Sequence, residues 1–441
     1  MPNVRTDMGK RVNFLVLTVL VLLSLIATSD YPTLSTTIDP ADTAWMLVAS
    51  AFVLLMTPGL SFFYGGMVDR KNVISTMLQS FVALGVISVL WVVVGFSLAF
   101  GDSWGGIIGD PTTFFNFRGV GVEPNPAFSG TIPFLLFALF QLKFAIITPA
   151  LITGSMAGRI RFRSYILFMV LFSLLIYCPL AHMTWHPEGL FRVWGVLDFA
   201  GGTVVHMSAG FAALAGAVFL GKRKLQTLHH ANVPYVLLGT GQLWFGWFGF
   251  NAGSALGANG DAVIAFANTN IASATAMITW LFYERMYNRK MSAVGACIGA
   301  VVGLVAITPA AGFVNMGQSM FIGFAAALVS NWAIYLKNRT SIDDTLDVFP
   351  SHGIGGVVGM LLTAVFAAEV GLVHGNTDTM VYHLIALVLT AVFAFGGSYL
   401  LFKLVNAVLP IRVREDQEAR GLDLSQHGET IASREQELVE A

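Results

Sequence analysis

At 441 residues, 56% hydrophobic and only 11% charged, with a mean hydropathy of +0.72, the chain has too little charge to clothe a water-soluble surface, which needs about a quarter charged residues. The 24 Lys and Arg nearly cancel the 25 Asp and Glu, so no basic surface points to a nucleic-acid partner. Two cysteines, Cys178 and Cys297, both in apolar stretches, support no disulfide framework.

Lys10 and Arg11 precede an apolar run from Val12 to Ala27, and Ala27-Thr28-Ser29 supplies small residues at a signal-peptidase spacing. Residues 1–29 are therefore read as a cleaved signal peptide, the run being shorter than the ~20 residues a bilayer needs, with an uncleaved first helix as the alternative. Apolar stretches of bilayer length then begin near Ala41, Val73, Thr131, Ser164, Asp198, Val233, Ala262, Ser292, Met320, Gly353 and Val381. They predict an all-α polytopic membrane protein with about eleven transmembrane helices in residues 41–410, since open sheet edges would leave unpaired backbone groups in hydrocarbon. Arg70 and Lys71, Arg159 to Arg163, Lys222 to Lys224, Arg285 to Lys290, and Lys337 with Arg339 fall in alternate loops. The positive-inside rule then puts the mature N-terminus outside and the C-terminus in the cytoplasm. Gly295, Gly299 and Gly303, and again Gly355 and Gly359, recur every four residues and mark faces where helices approach closely.

Function must come from polar residues at depth. His206 lies well inside the fifth stretch and His352 opens the apolar run of the tenth. An ionisable side chain there normally faces a cavity or pathway rather than lipid. One histidine falls in the last helix of spans one to five and the other in the last helix of spans six to ten. Two five-helix halves in tandem have opposite topology, so the reading is two inverted repeats plus a final helix, with the site where equivalent helices meet. Each histidine has an upstream acid, Asp198 and Asp347, which either caps its helix or, for Asp198 on the outer side, draws in a cation.

The strings Asp198-Phe-Ala-Gly-Gly-Thr-Val-Val-His206, Gly246-Trp-Phe-Gly-Phe-Asn-Ala-Gly-Ser254 and Asp347-Val-Phe-Pro-Ser-His352-Gly resemble signatures of the ammonium transporter, methylammonium permease and Rhesus protein family. The resemblance runs from about Ala41 to His427. It implies a homotrimer with one pore per subunit, taking up ammonium and possibly methylammonium across the cell membrane. It matches His206 and His352 to the twin histidines of the pore and Trp247 to a pore wall. Trp185, Phe140, Ser254 and Asp198 match the recruitment site, and Phe144 and Phe250 match the rings that close the vestibule. Residues 411–441 form a charged tail whose stretch Gly421 to Glu429 resembles the family's cytoplasmic regulatory motif, implying a PII-type signal protein as partner. Lys143 beside Phe144, and His186-Pro187-Glu188 after Trp185, depart from the family pattern.

The chemistry such a site needs is elementary. Aromatic faces attract ammonium and potassium alike, by ~0.5 to 2 kcal/mol, while a hydroxyl adds a hydrogen bond only ammonium can donate. A narrow apolar passage then excludes bare ions at a cost of order 10 kcal/mol, whereas ammonium sheds a proton and crosses as ammonia. Paired imidazoles can bind ammonia and hold the proton without metal or cofactor. The chain has no His-Glu-x-x-His, so an intramembrane metalloprotease lacks its parts. An ammonium sensor and a Rhesus-like gas channel are the alternatives.

Overall fold

The computed structural model describes residues 38–224 and 229–431 and four single positions before residue 38. The signal peptide expected at residues 1–29 lies outside the described residues apart from those four positions, as do residues 432–441 of the tail.

The described chain is built from α1 (Pro40–Met67), α2 (Arg70–Phe100), α3 (Phe134–Met156), α4 (Phe162–Val193), α5 (Gly202–Leu220), α6 (Val233–Gly253), α7 (Gly260–Met286), α8 (Ala293–Ile307), α9 (Met316–Lys337), α10 (Phe349–Phe366) and α11 (Thr377–Val408). Among the described residues, nine of these are long and apolar enough to cross a membrane; α8, at 15 residues, is shorter, and α6 is not among the nine. The expected figure of eleven spans is thus met by nine on length and composition. A two-residue hairpin, β1 (Ser103–Trp104) and β2 (Ile108–Gly109), is the sole sheet among the described residues.

Six helix starts are set by polar caps rather than by the first apolar residue. Asp39 caps α1, Asn232 α6, Asn259 α7, Ser292 α8 and Asn376 α11, and Asn315 with Gln318 forms a reciprocal capping box on α9. Each cap contributes about 1 kcal/mol and fixes where its helix begins.

Small residues then decide which helices touch. A Cβ on Gly303 would lie 2.6 Å from the Ala272 carbonyl oxygen and one on Gly299 2.6 Å from the Trp280 Cβ, so the α8 glycine stripe seats α7. A Cβ on Gly359 would strike the Ala306 carbonyl, bringing α10 onto α8. At the crossing of α5 and α10 a Cβ on Gly210 would collide with the Gly353 backbone. No other residue fits there, and this contact positions the histidines. Both cysteines are free and buried.

The tail folds back onto helix starts. The Asp423 carboxylate accepts from the Ile74 and Ser75 amides at 3.0 and 2.7 Å, capping the apolar part of α2. The Leu422 amide donates to Asn72 Oδ1, and Gln426 bonds both the Phe162 amide and the Ile160 carbonyl.

Candidate functional site

α5 and α10 each begin with a widened turn, Gly202–Met207 and Phe349–Ile354, that carries the histidine. In the first, the His206 amide donates to the Gly201 carbonyl five residues back. Backbone contact at Gly210 and Gly353 brings the imidazoles together: Nδ1 to Nδ1 is 3.3 Å and the ring centroids are 5.4 Å apart. One ring must donate from Nδ1 and the other accept, so the two hold opposite tautomers. Trp247 stacks on His206 at 5.3 Å, its indole N–H tied to Thr308 Oγ1 at 2.8 Å. His206 Nε2 is buried with no protein partner. The pair, with Trp247 and Phe250, lines a narrow cavity of about 10 Å³, the room of a single water at most.

A second cavity of about 470 Å³ is lined by Trp185, Phe144, Ser254, Asp198, Gln141 and Arg192, among others. Between the two cavities Phe144 and Phe250 stack with centroids 4.0 Å apart at 24°. Trp185 stands edge-on to Phe144 at 5.7 Å, and Phe250 lies 6.0 Å from His206. Wide cavity, ring pair and histidine pair therefore stand in series. Ser254 Oγ donates to the Phe250 carbonyl, which leaves its lone pairs for a donor in the cavity. Phe140 is fully buried, edge-on to Phe144 at 5.0 Å, and does not line the cavity. Lys143 lines neither cavity.

Asp198 is consumed by the start of α5. Its oxygens accept from the amides of Gly201, Gly202 and Thr203 at 2.6 to 2.8 Å and from the Thr203 hydroxyl at 2.5 Å. Its carbonyl accepts from the Trp185 indole at 3.2 Å, which fixes that ring in the cavity wall. Gln141, with a buried and unpartnered Oε1 on the cavity wall, is invisible in sequence as one polar residue among apolar ones.

The acid that answers Asp198 in the second half is not Asp347. Asp347, at φ +56°, pairs with Lys337 at 2.6 Å. Asp344 instead caps α10, accepting from the Phe349 amide at 2.7 Å. It precedes His352 by the same eight residues that separate Asp198 from His206. Burial, and then the neighbouring Asp347, push the Asp344 carboxyl up to about 6. A raised acid destabilises the fold when ionised. The penalty is absent below about pH 4 and complete above about pH 6, amounting to about 3 kcal/mol. Asp344→Asn keeps the acceptor and removes the charge. Thermal unfolding in detergent should therefore show the variant more stable than wild type at pH 8, with the gap closing toward pH 4.5; a gap independent of pH would refute the assignment.

No three His, Cys, Asp or Glu side chains converge on a metal-sized site among the described residues.

A family model described as Ammonium Transporter Family matches residues 44–432. The chain is 44% identical to an ammonium transporter of Aquifex aeolicus over 93% of this chain and 97% of that one. It is also 44% identical to an ammonium transporter of Bacillus subtilis, over 88% and 97%. Its fold superposes on the crystal structure of Saccharomyces cerevisiae Mep2 with a TM-score of 0.81 at 34% identity, covering 87% of this chain and 89% of that one. A protein described as a sensor Amt protein gives the same TM-score, 0.81, at 30% identity and 88% and 98% coverage. With nine membrane-length helices and a family match across nearly its whole length, the chain belongs to the ammonium transporter family.

Proposed function

We propose that the protein recruits ammonium in the wide aromatic cavity and conducts it, after deprotonation, past the Phe144–Phe250 pair and along His206 and His352. The observation that carries this reading is the order of parts along one path: cavity, stacked rings, linked imidazoles. Trp185 and Phe144 bring aromatic rings to the cavity wall, where a cation gains about 0.5 to 2 kcal/mol, and Ser254 Oγ accepts a hydrogen bond that potassium cannot donate. Asp198 supports the site by fixing the start of α5 and the tilt of Trp185. Beyond the rings the narrow cavity holds too little water to solvate an ion, so the proton must leave the nitrogen before entry. The paired imidazoles can take hydrogen bonds from ammonia and hold that proton.

The wide cavity faces out and the basic loops face the cytoplasm of the cell membrane. The protein works as a homotrimer, and the docked tail is a landing place for a PII-type signal protein. The likeness to a sensor Amt protein favours a signalling role as the second reading.

The test is current from protein reconstituted in liposomes during an ammonium jump. A current saturating with ammonium and absent with potassium is expected. A response indistinguishable from empty liposomes would refute transport.

A further inference from the structure

Of the residues lining the wide cavity, only Asp198 and Arg192 carry charge. They are not equivalent. The Asp198 carboxylate is spent on four hydrogen bonds from the start of α5, so its negative charge is partly offset by that helix terminus. The Arg192 guanidinium has no ion pair and no hydrogen bond among the described residues. A cation-recruiting cavity thus presents to its own substrate a solvent-exposed positive charge that has no ion-pair partner among the described residues.

The placement is built. After Trp185, α4 opens at residues 186–189 and resumes for one turn, Leu190–Val193. That turn is pinned by the Leu190 amide on the Gly106 carbonyl at 2.8 Å and by the buried Phe191 ring. Arg192 follows Phe191 directly, so its backbone is fixed at the cavity while the side chain reaches the wall.

We propose that Arg192 is an electrostatic brake on cation loading, setting the half-saturating ammonium concentration above the value the aromatic cavity alone would give. Two like charges sharing a wet cavity repel enough to change an equilibrium by about twofold to tenfold. The brake acts on charge alone, so it shifts ammonium and methylammonium together and leaves their ratio untouched. It also fades with salt, because the screening length falls from about 30 Å at 0.01 M to about 8 Å at 0.15 M.

The inference rests on the wide cavity being the recruitment site, and the experiment separates the two. Ammonium-jump currents are measured on reconstituted wild type, Arg192→Gln, Arg192→Lys and Ser254→Ala at 0.01 and 0.15 M ionic strength. Arg192→Gln should lower the half-saturating concentration about twofold to tenfold at low salt and less at high salt, while Arg192→Lys stays near wild type. A structural role would move both Arg192 variants, at either salt. If Arg192→Gln matches wild type at low salt while Ser254→Ala weakens loading, the brake is refuted and the recruitment site stands. If neither variant alters loading, both readings fall.

Discussion

Replacing His206 or His352 with alanine should cut selective ammonium current by about 100-fold or more, the contribution of a positioned proton-handling group. The reason is geometric. With Nδ1 atoms 3.3 Å apart, each ring fixes the tautomer of the other, and either truncation leaves the survivor free to turn and the proton without a second site. The two losses should not add, because groups acting as a unit fail together. The double variant is therefore expected to resemble each single one. Thermal unfolding in detergent separates this from collapse of the fold. Wild-type flux and selectivity in both single variants would return the histidines to a structural role.

Asp198→Asn should be more damaging than an isosteric swap suggests. The asparagine oxygen can still accept from Gly201 and Gly202, but its amide group then faces the Thr203 N–H, donor against donor, where a carboxylate oxygen accepted at 2.7 Å. A buried donor left unmet costs about 1 to 3 kcal/mol. The start of α5 should loosen, and Trp185, held by the Asp198 carbonyl, should lose its fixed pose. The expected readout is a lower unfolding temperature together with weaker ammonium loading. An Asn variant with both properties intact would show that the carboxylate matters neither as cap nor as charge.

The histidines are legible in the sequence because an ionisable ring in an apolar run is costly unless it faces a cavity or pathway. The span order is legible from the apolar runs themselves, and the starts differ by about a turn where a polar cap precedes the greasy stretch: Met316 rather than Met320, Phe349 rather than Gly353. Asp344 is hidden because Asp347 stands closer to His352 in a cluster of three acids, and only the repeated eight-residue interval singles out the right one. Phe144 and Phe250 can be picked from 35 phenylalanines only by resemblance, since ring stacking across α3 and α6 leaves no local pattern. Arg192 stands out in sequence only as an exception, with Arg118, in the loops that otherwise hold almost no basic residues; its significance depends on a fold that places it at a cavity.

The folded-back tail sets a threshold for whatever would move it. Seven hydrogen bonds join residues 419–427 to Lys71, Asn72, Ile74, Ser75, Ile160 and Phe162. At a net 0.5 to 1.5 kcal/mol each, they hold the segment by roughly 4 to 10 kcal/mol. Micromolar binding is worth about 8 kcal/mol, so most of such an affinity would be used in prying the segment loose. A weakly binding partner would consequently encounter the segment in place, and would have to recognise the relief formed jointly by tail and helix starts. Peptides copied from the tail are thus poor bait for that partner, because the surface it meets does not exist on the peptide alone.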